Sequence, residues 1–202
     1  QVAKEVNQLL PKQKLTSLII DESGWVKKGN QSVGVGWQYC GNVGKLSNSQ
    51  VAVFAALNNG DFSSMVDARL FLPEDWCNDP LRCDKAGIPE SARTFKTKIE
   101  IAHDIVEHQS KQLNFDYVSA DGFYGNDADF ARKIEKLEYL YMIDIHNDQL
   151  IYLEPTELEV PQRKSAKRQA PKKLKATNPS ISVSDYMVSL ENNQWKKLIV
   201  RN

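Results

Sequence analysis

Residues 94–113 place Phe95, Ile99, Ala102, Ile105 and Val106 near helical spacing, with Lys and Glu at the other positions. That is the pattern of an amphipathic helix. Apolar runs at 15–20 and 115–120 stand before and after it, and each is followed at once by an aspartate, Asp21 and Asp121. Short runs rich in β-formers and bounded by turn residues read as strands. A helix with one apolar stripe must bury it against a neighbouring layer, so the two strands are expected side by side in a sheet that this helix covers.

The rest of the chain extends the same sheet. Residues 31–38 alternate around Val33, Val35 and Trp37, and residues 50–56 repeat a Val, Phe and Ala pattern between turn residues. These predict the next two strands of an antiparallel meander. Residues 68–72 give another short strand, and the polar, Pro-containing stretch 73–89 reads as an ordered loop. A helix over 127–137, opened by Asn126 or Asp127 as cap, leads to an apolar strand over 139–145. Three or four strands, then helix, strand, helix, strand, predict an α/β fold with a mixed sheet flanked by helices. Beyond His146 the chain becomes polar, Pro-rich and basic before 182–190 and 195–200 resume strand-like alternation, so a domain boundary is expected near residue 150, with a core over 1–149. No repeat of 20 to 50 residues is present, which excludes solenoids and propellers.

Charge separates the two parts. Lys plus Arg number 26 and Asp plus Glu 26, yet residues 161–184 hold Arg163, Lys164, Lys167, Arg168, Lys172, Lys173 and Lys175 and no acidic residue. The remainder has 19 basic against 26 acidic residues, about minus seven. An acidic body with a basic arm suits a metal-using enzyme that handles a polyanion. No apolar stretch approaches the roughly 18 to 20 residues of a membrane-spanning helix, and the first residues lack signal-peptide order, so a cytoplasmic protein is expected. Cys40, Cys77 and Cys83 are odd in number and unevenly spaced, which predicts free thiols in place of disulfides or zinc. A start at Gln1 and an end at Asn202 inside a strand-like run read as cuts in a longer protein.

Asp21 and Asp121 carry the chemistry that the sequence can support. A carboxylate at the end of a strand is fixed by the sheet while open to solvent, and two from adjacent strands can share one hard cation such as Mg2+. Two such ions about 3.5 to 4 Å apart can activate an attacking hydroxyl and stabilise the leaving oxygen of a phosphodiester. Strands also end on Asp for capping alone, so these two residues by themselves leave a structural reading open. Lys27 and Lys28 are candidates for a DNA phosphate, as is the basic arm from Arg163 to Lys175. The glycines Gly34, Gly36, Gly41 and Gly44 before Lys45 do not make a phosphate loop, because Tyr39 and Leu46 occupy the positions that require Gly and Ser or Thr. His103 and His108, five residues apart on the long helix, fall on different faces and do not suit a shared metal.

Longer words decide between these readings. Asp21, Glu22, Ser23 and Gly24, then Lys28 and Gly29, then SVGVGWQYCGNVGK and NSQVAVFAAL, resemble the DDE superfamily endonuclease domain of insertion-sequence transposases, and RLFLPEDW, AGIPE, FKTKIEIA and VSADGFYG continue the resemblance in order. It covers most of the first 145 residues. It implies an RNase H-like fold that binds transposon-end double-stranded DNA, nicks it and joins the freed 3′ hydroxyl to target DNA, using three acidic residues and Mg2+, with Mn2+ as a substitute. It also implies a bacterial, nucleoid-associated protein, homodimeric at full length. Asp21 resembles the first acid of the triad and Asp121 the second, in a DGFYG turn similar to the family's Asp-Gly-x-Tyr signature. Relatives often have Asp and Thr where this chain has Glu22 and Ser23, and Glu22 is expected to face away from Asp21 because neighbours on a strand alternate. The third acid is normally a Glu beyond a β-rich insertion, whose beginning residues 150–202 resemble. Glu135, Glu138, Glu154, Glu157 and Glu159 sit in the wrong context for it. An inactive, DNA-binding remnant is the alternative reading.

Overall fold

The computed structural model describes residues 2–9, 15–162 and 172–196. The chain divides into two compact units, residues 1–144 and 145–202. The first begins with helix α1 (Val2–Leu9) and strands β1 (Ser17–Val26), β2 (Gly36–Cys40), β3 (Lys45–Asn58) and β4 (Ser63–Leu70). Two short helices follow, α2 (Glu74–Cys77) and α3 (Pro80–Lys85), and then α4 (Lys98–Gln109), β5 (Tyr117–Ala120), α5 (Gly122–Gly125), α6 (Ala128–Lys136) and β6 (Leu140–Ile143).

These strands form one six-stranded mixed sheet in the order β2-β3-β1-β5-β6, with β4 also paired to β3. The expected neighbour relation holds, because β1 runs parallel to β5 with Ile20 opposite Ala120. The meander does not. β1 pairs antiparallel with β3 along its whole length, Ser17 opposite Asn58 through Val26 opposite Ser49, while β2 lies on β3. β3 is 14 residues long, so it can hold β2 against its first residues and β4 against its last.

Alternation sets which side of the sheet is covered. Leu18 and Ile20 of β1, Val53, Ala55 and Leu57 of β3, and Val118 of β5 are buried against Ile101, Ala102, Ile105 and Val106 of α4 and Phe130 and Ile134 of α6. A 12-residue helix is marginal alone. Here the burial of Ile101, Ile105 and Val106, roughly 1.5 to 3 kcal/mol each, holds α4 on the sheet. Its start is fixed by a capping box, in which Thr97 Oγ1 accepts from the Glu100 amide and Glu100 Oε2 accepts from the Thr97 amide. Of the two expected caps for α6, Asp127 is the one used, accepting from the amides of Asp129 and Phe130. The result is a mixed α/β fold of RNase H-like type.

The stretch 73–89 is more regular than the loop its prolines suggest. Asp79 caps α3 through the Arg82 amide and Pro80 occupies its first turn. Trp76, Cys83, Ile88 and Val35 close a second small core there. The three cysteines are free, with Cys40 and Cys83 buried.

In the second unit the described residues form two short ladders, β7 (Leu150–Ile151) with β10 (Ile181–Ser182) and β8 (Leu158–Glu159) with β9 (Lys175–Ala176). The strand expected over 182–190 is instead helix α7 (Val183–Ser189), because Ser182 accepts from the Asp185 amide and starts a helical turn. Most of the strand expected over 195–200 lies outside the described residues. None of this unit's described residues is fully buried.

Candidate active site

The parallel strands β1, β5 and β6 stop in step. Ile20 is opposite Ala120 and Ala120 opposite Ile143, so the residues that follow, Asp21, Asp121 and Asp144, stand in a row. All three line one open cavity of about 320 Å3, together with Ile19, Ser119 and Met142. Neighbouring strands lie about 4.8 Å apart, which puts Asp21 next to Asp121 and Asp144 one strand further on. β1 itself does not end at Asp21, contrary to the sequence expectation. Only its parallel ladder ends there, and its pairing with β3 carries it on to Val26.

Each of the two expected acids is half committed to backbone. Asp21 Oδ1 accepts from the Glu22 amide at 2.8 Å, and Asp121 Oδ1 accepts from the Phe123 amide at 3.0 Å, which caps α5. Asp121 thus caps a helix while it lines the cavity, whereas Asp21 holds only the amide of its chain neighbour. Burial pushes the Asp21 carboxyl above its ordinary value, the Glu22 amide pulls it back, and the nearby Asp121 charge pushes it up again. Its tip stays in contact with solvent, so the burial is partial.

A raised carboxyl stabilises the fold below its ordinary value and loses that contribution as pH rises through the raised one. Asp21→Asn is therefore expected to melt above wild type at neutral pH in a chelator, and at the same temperature as wild type in acid below the ordinary carboxyl range. Scanning calorimetry at the two pH values checks it. A melting difference that did not change with pH would show that Asp21 is not strained by its surroundings.

Oxygen donors in this pattern fit a hard divalent ion in type. They fit it incompletely in number, because among the described residues no three acid, His or Cys side chains converge closely enough to enclose a metal. Asp21 and Asp121 stand on adjacent strands, whereas Asp144 stands about 10 Å from Asp21 by strand spacing. Asp144 escaped the sequence reading, although its signal is the same as that of the other two, an apolar strand run that closes on Asp.

The lysines are placed differently. Lys27 and Lys28 lie past the end of β1, about 20 Å along the strand from Asp21 at 3.3 Å per residue, where the Lys27 amide donates to Asn48 O. They do not join the carboxylates. In the second unit Lys172 and Lys173 are exposed, and Lys175 stands opposite Glu159 across the β8–β9 ladder. Arg163, Lys164, Lys167 and Arg168 lie outside the described residues.

The mixed RNase H-like sheet agrees with what comparison with known families gives. The model of the DDE superfamily endonuclease family matches residues 1–202. The chain belongs to that family. Endonucleases of the DDE superfamily use divalent metal ions. Over 142 residues this DDE endonuclease chain is 32% identical to the probable transposase for insertion sequence element IS701 of Microchaete diplosiphon, a match that covers 69% of the chain and 34% of that relative. The chain thus spans about a third of the length of the curated relative it matches. No solved structure matches it. No helix among the described residues is long and apolar enough to cross a membrane.

Proposed function

We propose that this chain is the catalytic core of an insertion-sequence transposase, which cleaves and joins DNA phosphodiesters at Asp21 and Asp121. The observation that carries this reading is the register of β1 with β5, which brings Asp21 and Asp121, the two residues that resemble the family's first two acids, to one solvent-open cavity on adjacent parallel strands. Asp21 and Asp121 would hold Mg2+, with Mn2+ as a substitute. When bound, the ion supplies activation of the attacking hydroxyl and charge neutralisation on the leaving oxygen. The chain's own part is to aim both carboxylates, through the backbone amides of Glu22 and Phe123.

Double-stranded DNA, transposon ends and target, is the proposed substrate, and a homodimer the proposed full-length assembly. The run from Arg163 to Lys175 supports a salt-dependent contact with phosphates, and Lys172, Lys173 and Lys175 are all exposed for it. Lys27 and Lys28 are proposed to touch DNA away from the cleaved bond. Residues 150–202 are proposed as the start of a β-rich insertion in the RNase H-like core.

Isothermal titration with Mn2+ tests the site. Wild type is expected to give a saturable heat, and Asp121→Ala to bind at least about tenfold more weakly, since even indirect partners of a metal site cost that much. Equal heats from the two proteins would remove Asp121 from the site and favour the non-catalytic DNA-binding reading.

A further inference from the structure

On the other side of the sheet from the carboxylate cavity, three polar side chains lie buried together. Glu22 follows Asp21 and, as strand alternation requires, faces away from it. Lys98 Nζ lies 3.5 Å from Glu22 Oε1, with side-chain exposures of only 13% for Lys98 and 18% for Glu22. Tyr124 is 0% exposed, and its hydroxyl sits against Glu22. Burial first, and then the Glu22 charge, hold its ionisation far above the ordinary range, so it is a neutral hydroxyl facing a carboxylate. The contact is close enough to act electrostatically but falls short of a regular hydrogen bond, and Tyr124 Oη and Glu22 Oε2 are both buried without another partner among the described residues.

The same turn grips the other half of the pair. Lys98 Nζ lies 5.7 Å from the centre of the Phe123 ring and 5.9 Å from that of Phe71. Phe123 and Tyr124 meet edge to face at 5.1 Å. Both belong to the short turn that starts at Asp121. One ion pair therefore bridges the chain neighbour of Asp21, the first residue of α4 and the turn that begins on Asp121.

Stability does not account for this cluster. A buried ion pair is often no better than apolar residues of the same shape, because desolvation offsets the attraction. A cation in the first turn of a helix also opposes the positive end of the helix dipole. Placement does account for it. We infer that Glu22, Lys98 and Tyr124 are positioning residues, which lock the Asp121 turn to strand β1 and so fix the spacing of the two metal-binding carboxylates. This rests on the reading of Asp21 and Asp121 as metal ligands.

Tyr124→Phe is the decisive variant, since it removes one hydroxyl, keeps the ring in the core and leaves charge unchanged. Mn2+ affinity of the 202-residue chain is expected to fall about tenfold or more, while the melting temperature stays level or rises because a poorly partnered buried hydroxyl is lost. Ile105→Val serves as the control. It opens a small cavity two turns of α4 beyond Lys98 and changes no polar group, so it should lower the melting temperature and leave Mn2+ affinity intact. Wild-type affinity in Tyr124→Phe overturns the inference alone, as does an equal affinity loss in Ile105→Val. Absence of any Mn2+ heat from wild type overturns the metal site and the inference with it.

Discussion

Gly125→Ala is expected to lower the stability of the first unit by about 3 kcal/mol or more, at the upper end of what overpacking costs. A Cβ built on Gly125 overlaps the backbone carbonyl of Asp144 and crowds the Ile143 side chain, whose Cγ2 would lie 2.7 Å away. A flexible side chain could yield, but here the obstacle includes main chain of Asp144, just past β6, whose amide donates to Ala120 O of β5. Accommodation must move β6 away from the turn that Asp121 begins. With a melting shift of about 2 to 4 °C per kcal/mol for a unit of this size, the expected drop is about 6 to 12 °C. The same clash strains the turn that Asp121 begins, so weaker Mn2+ binding should accompany it. A variant that melts within a degree or so of wild type would show that α5 and β6 are not in contact at Gly125.

Much of this architecture is legible in the sequence because its signals are local. The apolar period of 94–113 gives α4, and the Asp that closes each apolar run gives both expected acids. Failures occur where a local pattern meets a longer-range one. Residues 15–20 look like a complete strand, yet β1 continues for six residues past Ile20 because β3 is long enough to pair with it. Ser182 and Val183 alternate like a strand, but Ser182 with Asp185 three residues on is the start signal of a helix, and it prevails. Asp79 before Pro80 announces α3 in the same way. The link from Glu22 to Lys98 and Tyr124 has no local signal at all. It joins residues 76 and 102 positions apart, and only the packing of α4 and α5 against β1 creates it.

The second large effect is expected in the other core. Trp76 is 2% exposed, its indole Nε1 donates to Val35 O at 2.8 Å, and the Arg82 guanidinium lies 3.7 Å over its ring. Truncating a buried Trp to Ala typically costs about 3 to 5 kcal/mol, and here Val35 O also loses its donor. That cost should not spread evenly. Trp76, Val35, Cys83 and Ile88 form a cluster of their own, separate from the residues under α4 and α6. Once the cluster costs more to keep than its four residues return, the stretch 73–92 opens by itself and the sheet remains. In Trp76→Ala, amide exchange is therefore expected to accelerate at Cys83 and Ile88, whose amides bond to Asp79 O and Cys83 O. Val106 and Val118, which are buried in the main core, should keep their protection. The opening also releases the bond from Arg82 Nη2 to Asn30 O at 2.9 Å, which anchors the turn that follows Lys27 and Lys28. Salt-sensitive DNA affinity should fall if that turn touches phosphates, with Mn2+ binding at Asp21 and Asp121 unchanged. Loss of protection across both cores together would instead mean that the two clusters fold as one cooperative unit, and that the stretch 73–92 is as much a part of the main core as α4.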